Sequence, residues 1–446
     1  HCEQKFDSLH IKEIKMSSPR SLIQKTISVK DYDDPFYVVD IENIIEKHDN
    51  WLSKMPRVRP YYAVKCNSTT VVLETLAALG LCFDCASKTE IQRVINIGVP
   101  ATKIIYANPC KSPSFIQYAM NEKVDLMTFD NEEELYKISD VAPTARLVIR
   151  IKVDDSHSKY HLGRKFGIDV KKAPYLLELA QHLGLNVVGV SFHVGSGCES
   201  CEPYVEAIQD AKHIFEVAKD FGIEMTLLDI GGGFPGTSDY KDTLLFEEIA
   251  RIVNHTLDMY FPSEMNVDII AEPGRYYVAS AFTLTAMVIA KKKEVLNEQQ
   301  IMMYYINDGL YGSFSNTTFG EDEVVPIPQI KDRPNRKRQT YHSVIWGPTC
   351  DALDCIRTKV MLPELDVGEW MTFEDMGAYT MALCTNFNGF EMPAMKCHIS
   401  AAAIVRLRGF SSWPRLAKLF NFEEEKDISN GHNSSNELFE DSLLEA

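Results

Sequence analysis

Eight short apolar runs, each strand-like and each ending in polar residues or a glycine-rich turn, recur between residues 58 and 275. Helix-like stretches lie between them, at 71–79, 88–97, 131–139, 172–184, 203–220 and 244–259. Alternation of strands with helices favours parallel pairing, because a parallel connection needs a crossover. Eight such units in about 220 residues predict an α/β fold, a closed (β/α)8 TIM barrel.

The residues that follow these runs are of the types that catalysis needs. The runs are VRPYYAV, LGLCF, KIIYA, VDLMTF, RLVIRIKV, NVVGVSF, MTLLDI and VDIIA. In a TIM barrel the active site forms at the carboxyl ends of the strands. The pattern therefore places six candidate residues at one mouth of the barrel: Lys65, Asp84, Arg150, His193, Gly231 and Glu272.

The alternating pattern stops after Pro273, which indicates a second domain. Four apolar segments, at 276–290, 301–306, 341–346 and 369–374, predict a mostly antiparallel β-domain, and residues 22–39 are expected to add a strand to it. The predicted organisation is an N-terminal segment 1–39, a barrel 40–275, a β-domain 276–410 and an acidic tail 411–446. The tail is rich in acids, Ser and Asn, and this composition is typical of disorder.

Composition and charge narrow the possible partners. The formal net charge of −17 disfavours a general affinity for nucleic acid or an anionic membrane. No stretch reaches the roughly 18 apolar residues that a bilayer span requires. Eleven cysteines without a hydrophobic signal core indicate free thiols and a cytoplasmic protein. The pairs Cys82/Cys85 and Cys198/Cys201 have zinc-like spacing, but we expect no metal, since the first pair straddles a strand end.

Two glycine-rich turns follow the last two barrel strands. The first, DIGGGFPG at 229–236, contains Gly231, Gly232 and Gly233, and the second, EPGRYY at 272–277, contains Gly274 and Arg275. Glycines let the backbone approach an anion closely, and an arginine adds a forked cation. Barrels commonly bind phosphate after these strands, so the pair of turns predicts a phosphorylated ligand.

Lys65 would project into the same mouth, partly desolvated and therefore easier to deprotonate. A reactive lysine beside a phosphate site suggests either a Schiff base with pyridoxal phosphate or an aldolase-type lysine that acts on a sugar phosphate. His193 and Glu272 favour the first alternative, because a pyridine ring needs a flat partner on its face and a carboxylate at its nitrogen.

Ten motifs in collinear order resemble the eukaryotic ornithine decarboxylase family, pyridoxal phosphate enzymes with an alanine-racemase-like barrel. They are PYYAVKCN, FDCASKTEI, YANPCK, MTFDNEEEL, GVSFHVGSGC, LLDIGGGFPG, EPGRYYVASAFT, YYINDGLYGSF, WGPTCDALD and FEDMGAYT. Only the first ~25 residues and the acidic tail lie outside the resemblance, which is specific because so many motifs keep their order.

The resemblance implies a role for each matching position. Lys65 would bind the cofactor covalently, His193 would stack on its ring, and Glu272 would pair with the ring nitrogen. The remaining cofactor residues would be Asp84, Glu90, Arg150, Ser196, Gly231, Gly232, Gly233, Gly274, Arg275 and Tyr379. Cys350, the proton donor, and Asp351 would come from the neighbouring subunit of a homodimer. Lys165 and Asp354 would form an inter-subunit ion pair, and residues 154–166 a mobile lid.

One position departs from the family. After YGSF, members of the family carry an aspartate that receives the distal ammonium of ornithine, whereas the matching residue here is Gly320. This change indicates an apolar branched substrate, leucine or valine, in a pocket lined by Phe319 and Phe387. Ornithine stays an alternative if Glu321, Asp322 or Asp351 binds the ammonium.

The family also includes antizyme inhibitors, which bind antizyme without catalysis. All the cofactor positions are present here, which disfavours that alternative. The family's antizyme-docking surface is basic and corresponds to residues 111–142. Gln117, Asp140 and Ala142 replace cations there, so we expect weak antizyme binding.

Overall fold

The computed structural model describes residues 18–296, 298–319, 323–330 and 337–420. Its strands, in chain order, are β1 Phe36–Asp40, β2 Val58–Ala63, β3 Cys82–Cys85, β4 Ile104–Tyr106, β5 Leu126–Phe129, β6 Arg146–Arg150, β7 Ser158–Tyr160, β8 Asn186–Ser191, β9 Ser196–Cys198, β10 Leu227–Asp229, β11 Asp268–Ala271, β12 Phe282–Leu296, β13 Gln299–Ile306, β14 Ile327–Gln329, β15 Thr340–Trp346, β16 Cys355–Pro363, β17 Trp370–Phe373 and β18 Ala394–His398. Its α-helices are Pro19–Ile27, Ile41–Lys54, Thr70–Ala78, Lys88–Asn96, Pro113–Asn121, Glu132–Val141, Ala173–His182, Glu202–Asp220, Tyr240–Tyr260, Arg275–Val278, Ser315–Phe319, Ala401–Arg408 and Trp413–Leu419.

Eight parallel strands form the closed barrel, in the order β10-β11-β2-β3-β4-β5-β6-β8. The pairing of β11 with β2 closes it, and each of the eight apolar runs supplies one strand. Side chains of alternate residues fill the interior, as barrel geometry requires: Tyr61, Cys82, Ile105, Leu126, Val148, Leu227 and Ile270. The predicted TIM barrel is confirmed.

Helices cover the outside of the barrel, each burying one apolar face. Glu202–Asp220 buries Tyr204, Ile208 and Phe215 at helical spacing. The sequence analysis missed the helix Pro113–Asn121, in which only Ile116 and Ala119 are buried. Two buried positions are too few to produce a clear helical period.

The second domain is built on one eight-stranded sheet, with the order β14-β17-β12-β13-β15-β16. β1, which precedes the barrel in the sequence, belongs to this sheet and pairs antiparallel with β12 and parallel with β18. Most pairs are antiparallel, and β13 with β15 is a parallel exception. The mostly antiparallel β-domain is confirmed. β1 begins within residues 22–39, the segment that was expected to add a strand.

Three segments differ from the sequence-based expectation. Residues 275–281 form helical turns instead of the start of a strand, since a buried apolar run fits either structure. Ser18 caps a helix at Pro19–Ile27, where a strand was expected. Trp413–Leu419 is helical and buries Trp413 and Leu416, so this part of the expected tail is ordered by packing. Residues 421–446 lie outside the described residues.

Within the described ranges, no helix is both long and apolar enough to cross a membrane.

Candidate active site at the barrel mouth

Lys65 lies in the turn Val64–Cys66, directly after β2. Its side-chain nitrogen donates to Oδ2 of Asp84, on the neighbouring strand β3, at 2.5 Å. The Asp84 side chain is fully buried, and its Oδ1 has no hydrogen-bond partner among the described residues. A buried carboxylate needs a counter-charge, and the side-chain nitrogen of Lys65 supplies it.

The charge of Lys65 differs from the sequence-based expectation. Burial lowers the pKa of the amine, but the charges of Asp84, Glu272 and Tyr379 raise it, and the net pKa lies above the ordinary value for lysine. The expectation of an easily deprotonated lysine is therefore wrong for this arrangement. A proton must leave the amine before its nitrogen can attack a carbonyl carbon.

Two buried carboxyl groups lie beside each other at the ends of β10 and β11. Burial raises the pKa of Asp229 to about 6. Burial, followed by the charges of Asp229 and Asp84, raises the pKa of Glu272 well above its usual range. Like charges this deep are unfavourable, and a cation beside Glu272 would relieve the repulsion. Glu272 can therefore bind a protonated ring nitrogen.

The imidazole of His193 is partly buried. Its Nδ1 accepts the N–H of Gly195 at 3.0 Å. Burial lowers the pKa of the ring well below its usual value, and the charges of Arg150 and Lys65 lower it further. A Cβ added at Gly232 would lie 2.8 Å from Nε2 of His193, so the ring edge lies against the glycine turn.

The turn after β10 requires glycine for steric reasons. Gly231 and Gly233 have φ angles of +64° and +103°, in the region that favours glycine. A Cβ on Gly231 would lie 2.1 Å from the carbonyl oxygen of Phe192. Asp229 holds the turn by accepting the Gly231 N–H at 2.9 Å. The result is a fixed backbone cradle of the kind that binds phosphate.

Arg275 and Tyr379 lie at the same mouth. The guanidinium of Arg275 is 5.4 Å from the centre of the Tyr379 ring and 5.8 Å from that of Tyr160. The preceding Gly274 packs so closely that a Cβ would lie 2.8 Å from the Cβ of Cys66. Ser196 begins β9 and pairs with Tyr160 of β7. Groups that could bind a phosphate thus lie together at this part of the mouth.

Glu90 supports this mouth from the helix Lys88–Asn96. Its Oε2 accepts the N–H of Ala86 at 2.6 Å, and burial raises its pKa. Ala86 follows the strand that carries Asp84, so the contact fixes the end of β3.

These groups fit pyridoxal phosphate. Lys65 supplies an amine, and Glu272 is a buried carboxyl whose pKa is raised by burial and by the charges of Asp229 and Asp84. The glycine cradle beside Arg275 leaves space that any side chain would fill. Amine, carboxyl and anion cradle match the aldehyde, ring nitrogen and phosphate of this cofactor.

The residues predicted for the substrate side lie on the β-domain. The hydroxyl of Tyr311 donates to the carboxylate of Asp351, and its ring centre lies 4.5 Å from that of Phe387. Cys350 is exposed, and its N–H donates to Asn388 at 2.9 Å. In the described part of this chain, no hydrogen bond or ion pair joins Cys350 or Asp351 to the Lys65 cluster. Phe319 ends a short helix, and Gly320 lies outside the described residues.

Asp354 has a structural role within its own chain. The carboxylate is buried, accepts the N–H of Leu310 at 2.7 Å, and accepts the N–H of Thr349 at 3.0 Å. Lys165 is exposed, with its nitrogen 5.0 Å from the centre of the Phe166 ring. Within the described chain these two residues form no ion pair, so the inter-subunit contact stays a prediction.

The sequence analysis missed four residues of this region: Asn67, Asp229, Tyr311 and Asp375. All four lie inside motifs that it quoted. Asp229 was detectable as the acid between a buried strand and three glycines. The others depend on contacts between distant parts of the chain, which spacing along the sequence does not show.

A parallel barrel with this set of groups at its mouth is the arrangement expected of a pyridoxal phosphate enzyme. Residues 41–279 match the model of the family described as pyridoxal-dependent decarboxylase, pyridoxal binding domain. The chain is 52% identical to ornithine decarboxylase of Mus musculus over 377 residues, which are 82% of this chain and 81% of that protein. It is also 52% identical to antizyme inhibitor 2 of Xenopus laevis over 378 residues, 83% of this chain and 82% of that protein.

A solved structure is similar throughout the fold. The arginine decarboxylase of Paramecium bursaria Chlorella virus, bound to agmatine, aligns with a TM-score of 0.80 at 35% identity, covering 85% of this chain and all of that one. The chain therefore belongs to the ornithine decarboxylase family of pyridoxal-phosphate-dependent amino acid decarboxylases. The expected family, enzyme class and cofactor are confirmed.

Proposed function

We propose that this protein releases carbon dioxide from an apolar branched L-amino acid, leucine or valine, and leaves a primary amine. The observation that carries the proposal is Gly320, which stands where the resemblance implies an aspartate for a substrate ammonium. Burying an ammonium whose partner has been removed costs about 3–5 kcal/mol. An apolar side chain avoids this cost and gains from burial instead.

The geometry of the mouth supports a division of roles. Pyridoxal phosphate, when bound, supplies an electron sink for the pair released with carbon dioxide. Lys65 anchors the cofactor, Asp84 orients the amine, and Glu272 stabilises the charge of the ring nitrogen. His193 would stack on the ring of the bound cofactor. Ser196, Arg275 and Tyr379, with the glycine turns, bind the phosphate.

The proton that replaces carbon dioxide on the substrate comes, in this proposal, from Cys350 of a second copy of the chain. Cys350 is exposed on the β-domain, apart from the Lys65 cluster of its own chain. Exposure suits a residue that completes a neighbour's site across an interface. The protein is then a homodimer with two shared sites, which we place in the cytoplasm.

The test is direct. The purified protein, supplied with pyridoxal phosphate, is incubated with carboxyl-labelled leucine, valine, ornithine, lysine or arginine, and released carbon dioxide is counted. We expect leucine or valine to give the highest kcat/KM. Changing Gly320→Asp is expected to shift preference toward ornithine, and Phe387→Ala is expected to lower leucine turnover without such a shift. A wild-type preference for ornithine would refute the proposed substrate.

Ornithine decarboxylation is the second candidate, and the Asp351–Tyr311 contact favours it. The carboxylate of Asp351 lies on the β-domain, and it can bind the distal ammonium of ornithine. The mouse relative at 52% identity is named for this substrate.

A decoy function is the third candidate, because a frog relative at 52% identity is named antizyme inhibitor 2. The intact Lys65–Asp84 pair and glycine cradle support catalysis instead. A pull-down with antizyme beside the carbon dioxide assay separates the two functions. We expect weak antizyme binding together with turnover, whereas a decoy binds antizyme and releases no carbon dioxide.

A further inference from the structure

A loop of the β-domain, residues 374–380, carries Tyr379 to the barrel mouth, and we call it the Tyr379 loop. It follows β17 and contacts the barrel at two separate places. At the first, the Asp375 carboxylate accepts the N–H of Ser238 at 2.6 Å and its hydroxyl at 2.9 Å. Ser238 lies just beyond the glycine motif 229–236, so this contact joins the loop to the segment that leaves the phosphate cradle.

The second contact is to the turn that carries Lys65. The side-chain amide of Asn67 donates to the carbonyl of Gly377 at 2.9 Å, and the N–H of Tyr379 donates to the carbonyl of Cys66 at 3.0 Å. Asn67 is buried, and its own oxygen accepts the Thr69 hydroxyl at 2.7 Å. Cys66 and Asn67, the two residues after Lys65, are therefore hydrogen-bonded to Tyr379 and Gly377 of the loop.

The backbone of the Tyr379 loop is held in an unfavourable conformation. Asp375 and Tyr379 have φ angles of +58° and +56°, a region that residues other than glycine rarely adopt. A Cβ added at Gly377 would lie only 1.8 Å from the carbonyl oxygen of Val278. Such conformations persist where surrounding contacts impose them, and they concentrate at functional sites.

We infer that Asp375 and Asn67 are positioning residues that hold the Tyr379 hydroxyl at the cofactor phosphate. Through them the packing of the β-domain on the barrel determines how tightly the barrel retains its cofactor. The inference rests on the proposed role of Tyr379 as a phosphate ligand. It predicts that loss of the contacts made by Asp375 or Asn67 lowers cofactor affinity, although neither residue binds the cofactor or the substrate.

The experiment compares two substitutions at Asp375. Glycine accepts the positive φ but loses both contacts with Ser238. Asparagine tolerates this φ, its oxygen still accepts the Ser238 N–H, and its amide can donate to the Ser238 hydroxyl, so both contacts are kept. Ser280→Ala is the matched control, because it removes the 2.8 Å hydrogen bond to Asn43 near the domain junction and leaves the loop intact. Ser238→Ala, which removes one donor, is a milder second variant.

Dissociation constants are measured for pyridoxal phosphate and for pyridoxal, which lacks the phosphate, on protein stripped of cofactor. Asp375→Gly is expected to weaken pyridoxal phosphate binding about fivefold and Ser238→Ala about twofold, on the scale of partly exposed hydrogen bonds. Pyridoxal affinity is expected to stay constant, and Asp375→Asn and Ser280→Ala are expected to match wild type.

Equal losses for both ligands would overturn the inference, since they indicate a general structural defect. Unchanged pyridoxal phosphate affinity in both Asp375→Gly and Ser238→Ala would also overturn it. A wild-type protein that binds neither ligand would instead refute the proposed function, on which the inference depends. The two failures are therefore distinguishable.

Discussion

The side-chain nitrogen of Lys65 and Oδ2 of Asp84 are 2.5 Å apart, on the turn after β2 and on the adjacent strand β3. One carboxylate thus positions the amine and contributes the largest of the charges that raise the pKa of Lys65. Because Asp84 is fully buried, solvent screens this interaction little.

Changing Asp84→Asn is expected to lower the pKa of Lys65. The substitution keeps the size of the side chain but removes the main charge that raises this pKa, so that burial dominates. The neutral amine then forms at lower pH. Labelling of Lys65 by an amine-specific reagent, followed by mass spectrometry across pH in cofactor-free protein, measures the shift. An identical labelling profile in both proteins would contradict this account.

The Asp229–Glu272 pair predicts a pH dependence of stability in cofactor-free protein. The pKa of Asp229 is about 6 when folded and 3.8 ordinarily, so the folded state holds a proton more tightly. Below pH 3.8 both states carry that proton, and stability is lost as pH rises toward about 6. Asp229→Asn removes this loss and keeps an acceptor for Gly231.

The free energy of unfolding of Asp229→Asn, relative to wild type, is therefore expected to rise by roughly 2–3 kcal/mol between acid and neutral pH. Urea titrations at intervals of pH measure it. Groups that do not interact with Asp229, Asp308 among them, are present in both proteins and cancel in the difference, whereas the effect of Asp229 on the pKa of Glu272 is part of it. If the difference in unfolding free energy between the two proteins did not change with pH, the raised pKa of Asp229 would be refuted.

The proposed sharing of active sites between two subunits predicts complementation between two inactive variants. Lys65→Ala is expected to abolish turnover, and Cys350→Ala to lower it strongly. Mixed in equal amounts and allowed to exchange, they form half heterodimers, each with one intact site. Activity is then expected to recover to about a quarter of wild type. No recovery, despite exchange shown by differently tagged chains, would place Lys65 and Cys350 in the same subunit's site.

Gly377→Ala is expected to destabilise the protein by roughly 3 kcal/mol or more, because the new methyl group would overlap the carbonyl oxygen of Val278. Gly409→Ala is the control, since its nearest neighbour, the carbonyl oxygen of Arg406, lies at an ordinary 3.7 Å. Thermal unfolding of the two variants measures the difference. Equal melting temperatures would mean that the Tyr379 loop moves at little cost.

The barrel could be predicted because each of its strands is a local apolar run with a turn at its end, such as KIIYA, which contains β4 and precedes Asn108. The candidate cofactor residues could be predicted for the same reason, since parallel strands bring their carboxyl ends together. The second domain was harder to predict, because β13 and β15 pair across a long loop and Tyr276–Ala281 fits a helix as well as a strand.

The electrostatics of the site could not be predicted from sequence. The pKa of Lys65 depends on the balance between burial and three charges that lie far apart along the chain. Asp354 looks like a surface ion-pair residue in sequence, yet backbone N–H groups of Leu310 and Thr349 bind it inside its own domain. Both outcomes depend on distances that only the folded chain fixes.

The strand β1 has a consequence for biosynthesis. It leaves the ribosome before any part of the barrel, yet both of its partners, β12 and β18, are translated after the barrel. One of its edges therefore stays open to aggregation until β12 is translated, and the other until the chain reaches His398. A nascent chain that stalls between the end of β11 and the start of β12 would contain every barrel strand together with an unpaired N-terminal strand, which chaperones would have to shield.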